Sequence, residues 1–284
     1  MGPIAQAPAR TVPSAAQAVV ALPNRPGSLK FAILGDFGTG GREQYQVGEQ
    51  MARLHQRFAF ELVLTVGDNL YGSERPQDFR KKFEIPYKAV LDAGVKFYAS
   101  LGNHDDSRTQ GAYPAFNMRG KRYYSVKGPE QSVRFFALDS TYPSPDQIKW
   151  ISEALKESGE DWKIAFCHHP PYSSGSRHGS DLPLRKAVEP IFVQHNVSVV
   201  FTGHDHFYER IKPQQDVVYF VAGSGGKLAK GDIDRRSPLT AKAFDTDFAF
   251  MAAEIFGDGM TFNAISRAGI VVDSGVITRR RPPK

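Results

Sequence analysis

The sequence predicts an α/β fold built from two stacked, mixed β-sheets flanked by helices, with a ligand site at the carboxyl ends of the strands. Three observations lead there. Short β-type apolar runs alternate with segments of helical spacing, which is the signature of a layered α/β domain. A second set of apolar runs lies closer together, with at least one tight turn between them, and this favours antiparallel pairing and hence sheets of mixed direction. Five of the runs end in a small cluster of Asp, Asn or His, and open α/β sheets collect their ligands outside those ends.

In chain order, residues 1–28 are rich in Ala, Pro and Gln and lack a basic start followed by a long apolar core. They read as a tail or linker rather than a signal peptide. A signal segment that once preceded Met1 would make the protein secreted or periplasmic. The domain is expected over residues 29–279, with 280–284 as a basic tail. Its first strand is KFAILGD (30–36), followed by a helix on the spacing Val47, Met51, Leu54 and Phe58. FELVLTVGDN (60–69) and VKFYASLGNHD (95–105) are the next two strands that end in polar clusters. RYYSV (122–126) and SVRFFALDS (132–140) follow as strands. A helix then begins at Ser144, with Pro145 at its first position and Gly159 past its end. WKIAFCHH (162–169) and VSVVFTGHDH (197–206) complete the set of five. VVYFVAGS, FAFMAAEIF, MTFNAIS and GIVVDSGVIT add strands, and the turn Gly257-Asp258-Gly259 joins two of them. Near-continuous apolar runs of this kind suit strands covered on both faces. No internal repeat and no second domain is expected.

Composition narrows the partners. The chain has 284 residues, 41% hydrophobic and 23% charged, and no apolar run approaches the roughly 18 residues that span a bilayer, so no membrane is expected. Its formal net charge of +6 can steer anionic ligands but is too diffuse to argue for nucleic acid. Cys167 is the only cysteine, which excludes an intramolecular disulfide and reads as a small apolar filler.

The strand-end inventory is Asp36, then Asp68, Asn69 and Tyr71, then Asn103, His104 and Asp105, then His168 and His169, then His204 and His206. Carboxylates and imidazoles with almost no thiol describe a site for borderline or hard metals. The candidates outnumber what one ion needs, and two ions sharing a bridging carboxylate would use them. Singly, GDFG or GDNLY is a plausible turn and HH is weak. The ordered set GDFG, GDNLY, GNHD, HHP and GHDH, each just after a strand, is not what turns alone produce. A dinucleotide fingerprint fails, since the third Gly would fall on Glu43. No phosphate-loop lysine motif and no nucleophile-elbow serine is present. His55 and His195 lie away from the strand ends and read as solvated.

These motifs resemble the calcineurin-like metallophosphoesterase superfamily, and within it the purple acid phosphatases of the small, tartrate-resistant type, from about residue 30 to 226. The resemblance implies a four-layer metallophosphoesterase sandwich and hydrolysis of small phosphate monoesters. Most of the superfamily begins with Asp-x-His, but here Gly38 follows Asp36 at that spacing. The purple branch replaces the missing imidazole with a Tyr three residues after the second Asp, and Tyr71 stands there. The resemblance implies Fe(III) on Asp36, Tyr71, His206 and a bridging Asp68. It implies a second, divalent ion (Fe, Zn or Mn) on Asp68, Asn103, His168 and His204, with a metal-bound hydroxide as nucleophile. His104 and Asn103 would bind the phosphate, His178 would protonate the leaving group, and His169 would line the pocket. Arg108, Tyr172 and Arg177 are candidates to touch the leaving group, in loops 72–82, 106–121 and 172–183. Asp205 is expected to point away from the ions in an extended segment, in a structural role. The alternatives are a phosphodiesterase or nucleotide hydrolase of the same scaffold, which usually keeps the Asp-x-His start, and a non-catalytic binding member, which commonly loses ligands.

Overall fold

The computed structural model describes residue 19 and residues 21–281. The rest of the expected N-terminal tail, and residues 282–284 of the basic C-terminal tail, lie outside the described residues. The elements run β1 (Leu29–Leu34), α1 (Arg42–His55), β2 (Leu62–Val66), α2 (Pro76–Phe79), α3 (Lys88–Asp92), β3 (Lys96–Ser100), α4 (Ser107–Ala112), β4 (Tyr124–Lys127), β5 (Val133–Ala137), α5 (Pro145–Glu157) and β6 (Trp162–Phe166). They continue with α6 (Leu182–Gln194), β7 (Val199–Thr202), β8 (Tyr208–Ile211), β9 (Val218–Ala222), β10 (Thr240–Phe244), β11 (Ala249–Phe256), β12 (Gly259–Ser266) and β13 (Val271–Thr278).

The strands form two sheets, ordered β13-β12-β11-β1-β2-β3 and β10-β8-β9-β7-β6-β5-β4. The runs joined by helices pair in parallel, β1 with β2 with β3 and β5 with β6 with β7. The closely spaced C-terminal runs pair antiparallel, with Phe256 opposite Gly259 across the Gly257-Asp258 turn. Mixed sheets are therefore what the connection lengths produce, because parallel neighbours need a crossover and antiparallel ones only a hairpin.

Aromatic rings join the sheets face to face. Phe31 of the first meets Phe135 of the second at 5.3 Å between centroids, and Phe262 meets Phe220 at 5.0 Å. Such pairs are worth about 0.5–1.5 kcal/mol beyond burial. Val47, Met51 and Leu54 of α1 bury into this core. On the other side, Ile151 and Leu155 of α5 join Leu184, Val188 and Phe192 of α6 against Phe136, Ala165 and Val200. Ser144 caps α5 by accepting from the Gln147 amide at 3.2 Å. Sequence periodicity missed α6, which carries Pro183 and Pro190. Its start is marked instead by Asp181, which accepts from the Leu184 amide at 2.9 Å, and a proline in the first turn costs no hydrogen bond.

The segment before β1 is tied down where it is described, with the Asn24 and Arg25 amides donating to the buried Glu254 carboxylate. Cys167 is buried and unpaired, and burial pushes its thiol up to about 12. Among the described residues, no helix is long and apolar enough to cross a membrane.

Candidate metal centre

The parallel strands of both sheets end at one seam. In register, β1, β2 and β3 deliver Asp36, Asp68 and Asn103, and β6 and β7 deliver His168, His204 and His206. Asp36, Asp68 and His204 take positive φ, 54°, 49° and 71°, a conformation that costs a non-glycine residue about 1–3 kcal/mol and clusters at functional sites. The cost is offset by fixed backbone contacts. The Asp36 amide donates to the Gly67 carbonyl at 3.0 Å, and the Gly203 amide to the His168 carbonyl at 2.9 Å. Gly102 and Gly203 let chains pass closely: a Cβ would sit 2.1 Å from Asp68 Oδ1 at the first and 2.4 Å from Asp36 Oδ2 at the second.

Two groups of donors result. In the first, one donor atom each of Asp36, Asp68 and His206 lies within 4.8 Å of the others. Tyr71 joins it, its hydroxyl donating to Asp36 Oδ1 at 3.2 Å and standing 3.3 Å from His206 Nε2. In the second, the same holds for His168, His169 and His204. Asn103 Oδ1 lies 3.0 Å and His204 Nδ1 3.1 Å from His168 Nε2. Asp68 Oδ1 is 3.4 Å from that same nitrogen, so Asp68 borders both groups.

The hydrogen bonds assign the protons. His168 Nδ1 is 3.0 Å from the Val66 carbonyl, which can only accept, so Nδ1 carries the proton and Nε2 offers a lone pair. That lone pair faces the Asn103 and Asp68 oxygens. Acceptors crowding acceptors at 3.0–3.4 Å repel unless a cation lies among them, so the donor set fits a metal ion. Charges agree with this: burial and the Asp68 carboxylate raise the Asp36 carboxyl well above its usual range. Burial, only partly opposed by Asp68, lowers His168 to about 4, and burial with neighbouring imidazoles lowers His204. Neutral imidazoles are the form that ligates metal, and buried carboxylates and imidazoles shifted together in this way mark a functional site. Burial and the two carboxylates push the Tyr71 phenol far above its ordinary value, so only a cation would make it a phenolate.

His169 is different from His168. The Ser140 hydroxyl accepts from the His168 and His169 amides at 3.1 and 2.8 Å and lies 3.0 Å from His169 Nδ1. Having accepted twice, Ser140 donates its own proton to Nδ1, which leaves the other His169 nitrogen as an N–H, the form suited to an anion. His104 is exposed, its ring 5.0 Å from that of Tyr71, and its amide donates to Asp68 Oδ1 at 3.1 Å. His178 stands over the second group, 4.3 Å from the His204 ring. His55 and His195 lie away from the seam, and each is partly exposed.

Three expectations change. The His204–His206 segment is not extended: it turns tightly, with the Asp205 amide donating to Gly203 and Phe207 to Asp205. Asp205 is nevertheless turned into the protein, where it accepts from Ser173 Oγ at 2.5 Å. Tyr172 does not reach the pocket; it is buried, donates to Glu189 at 2.6 Å and lies under Arg185. The expected loops 72–82 and 106–121 are helical in part: the first contains α2 and enters a π-helical turn at Arg80–Glu84, and the second contains α4. Sequence reasoning also gave no role to Asp105, which accepts from the Gly102, Asn69 and Leu70 amides at 2.8–3.1 Å and so locks the second and third strand ends together. Ser140 and Lys227 were missed as well. The ammonium of Lys227 lies 4.1 Å from the Tyr71 ring centroid.

The calcineurin-like phosphoesterase family matches residues 29–208. The chain is 26% identical to purple acid phosphatase 4 of Arabidopsis thaliana over 268 residues, 82% of this chain and 78% of that protein. It is 23% identical to tartrate-resistant acid phosphatase type 5 of Oryctolagus cuniculus over 250 residues, 74% and 77% of the two chains. Among solved structures it is similar to GAP50, described as the anchor in the inner membrane complex of Plasmodium. The TM-score there is 0.76 at 20% identity, covering 89% of this chain and 90% of that one, a likeness of fold.

Proposed function

The chain belongs to the calcineurin-like phosphoesterase family, and on that premise we propose that it is a dinuclear metal-dependent phosphatase that hydrolyses phosphate monoesters of small molecules. The observation that carries the proposal is the pair of donor groups bordered by Asp68 at the seam of the two sheets. Asp36, Tyr71, His206 and Asp68 would hold Fe(III), because carboxylate and phenolate oxygens suit a hard, highly charged ion. Asp68, Asn103, His168 and His204 would hold a divalent ion, Fe, Zn or Mn. Bound there, the two cations would acidify water into a nucleophile and neutralise charge on an in-line phosphoryl displacement.

The protein's own groups then bind and orient. The Asn103 amide and the His104 imidazole, both exposed, take phosphoryl oxygens, and the N–H of His169 adds a donor. A ring N–H of His178, over His204, gives its proton to the departing alkoxide, so that ester and water become alcohol and phosphate. The Val66 carbonyl holds the His168 proton on Nδ1 throughout. The test is the metal-loaded protein against phenyl phosphate and bis(4-nitrophenyl) phosphate. The proposal expects the monoester to be turned over with the larger kcat/KM. A preference for the diester would replace it with a phosphodiesterase, and inertness of a protein with both ions bound would leave a binding member of the fold.

A further inference from the structure

Lys82 stands where lysines are rare: it is 8% exposed, and a lysine is almost never buried without partners. Its ammonium donates to two backbone carbonyls, that of Tyr71 at 2.7 Å and that of Ser73 at 2.9 Å. The Asp78 carboxylate, 3.8 Å away, supplies the counter-charge. Asp78 also holds the same loop, accepting from the Ser73 hydroxyl at 2.9 Å and from the Arg75 amide at 3.0 Å. Hydrogen bonds from a charged donor are about twice as strong as neutral ones, so one buried cation organises the chain just after Tyr71.

The cation is itself fixed. Lys82 lies in the π-helical turn Arg80–Glu84, a local geometry that recurs at functional sites. Its carbonyl accepts from the side-chain amide of Gln44 in α1, and the Gln44 oxygen accepts from the Gly40 amide at 2.7 Å. The next residue, Phe83, sits in the aromatic core, its ring 5.0 Å from that of Phe97 and 4.9 Å from that of Phe116. On the other side of Tyr71, its amide donates to the Gly38 carbonyl at 2.9 Å. A Cβ on Gly38 would lie 1.8 Å from the Asn69 carbonyl oxygen, so the loop that carries Tyr71 fills the space a side chain at position 38 would need. Both backbone groups of Tyr71 are therefore clamped, the amide by Gly38 and the carbonyl by Lys82, before the chain turns at Gly72 with a φ of 78°. At the far end of this side chain the phenol donates to Asp36 Oδ1 at 3.2 Å and stands 3.3 Å from His206 Nε2. A metal ligand must be placed to about 0.2 Å, and a small tilt of the backbone is multiplied along the length of a tyrosine.

We propose that Lys82 is a positioning residue for Tyr71: its buried ammonium, bonded to the Tyr71 and Ser73 carbonyls, holds the phenol at the Asp36–His206 group and so sets how tightly that group keeps a ferric ion. This rests on Tyr71 being an iron ligand in the phosphatase proposed above. The test compares oxidised, metal-loaded wild type, Lys82→Met and Lys82→Arg by visible spectrum, by iron retained against EDTA, and by the Tm of the metal-free proteins. Lys82→Met removes the ammonium at nearly equal length and should lose half its iron at about 10 to 100-fold less EDTA, with a weaker or displaced charge-transfer band. Lys82→Arg keeps a cation with donors for both carbonyls and should retain the band and the iron. If Lys82→Met does not fold, Lys82→Gln, which keeps a neutral donor, is read by the same two measures against Lys82→Arg. A neutral variant with a lowered Tm but the wild-type band and iron retention makes the lysine merely structural and overturns the proposal. An equal loss in Lys82→Arg overturns it too, by placing the effect on packing of the turn instead of on the charge. A fully metallated wild type without colour sinks the Tyr71 ligand assignment itself, a distinguishable outcome.

Discussion

Gly102→Ala tests whether the position of Asp68 decides metal binding. The added Cβ would stand 2.1 Å from Asp68 Oδ1 and 2.3 Å from its amide nitrogen, where ordinary contact begins near 3.4 Å. Neither neighbour yields cheaply, because the nitrogen is backbone and the carboxylate already accepts from the His104 amide. Relief requires a movement of about 1 Å. Overpacking of this kind costs about 1–3 kcal/mol, and at about 2–4 °C per kcal/mol for a domain of this size the metal-free Tm should fall by about 2–12 °C. The larger effect is on chemistry, since about 1 Å of misplacement costs about 100-fold in rate. Melting without metals, metal content after dialysis and kcat/KM should therefore all drop. Gly159→Ala is the control: a Cβ there meets nothing within 4 Å, and stability should stay within about 0.5 kcal/mol. A Gly102→Ala protein that keeps both ions and wild-type kcat/KM would refute the reasoning.

His178→Ala should slow alkyl phosphates by about 10² to 10⁴-fold while slowing activated aryl phosphates far less; equal slowing would remove the proton-donor role. The Glu160 carboxylate is paired by Arg134 through two contacts of 2.9 Å, and Arg134 first among its neighbours holds its pKa well below the usual range. A depressed folded pKa contributes stability that is present above the unfolded value of about 4.3 and lost as pH falls through the folded one. Glu160→Gln should thus cost about 1.5–3 kcal/mol at pH 7 by denaturant melts, with the gap to wild type closing only below about pH 4; a gap independent of pH would contradict the ion pair.

Much of the site was legible because its residues follow strands. A buried strand announces itself by its apolar run, and Asp36, Asp68, Asn103, His168 and His204 stand within a few residues of such ends. Tyr71 was legible only through resemblance, since nothing in its spacing tells a ligand from a core tyrosine. Lys227 and Ser140 were not legible, because they reach the site through loop geometry: Lys227 through the Asp36 and His206 carbonyls, Ser140 through the His168 and His169 amides. The orientation of Asp205 was anticipated for the wrong reason, as strand alternation was carried past the end of β7 into a tight turn. In α6, two prolines masked helical periodicity although the Asp181 cap was readable. The short strand β8 also escaped notice, since YERI directly follows the histidine cluster and shows no long apolar run.

The central claim is that Asp36, Tyr71, His206 and Asp68 hold iron beside a second ion. The most direct measurement is elemental analysis and a visible spectrum on one sample of oxidised protein, wild type and Tyr71→Phe. Two metal ions per chain, one of them iron, with a broad charge-transfer band that disappears in Tyr71→Phe, is the expected result. A fully metallated wild type without colour, or a band that survives in Tyr71→Phe, would contradict it.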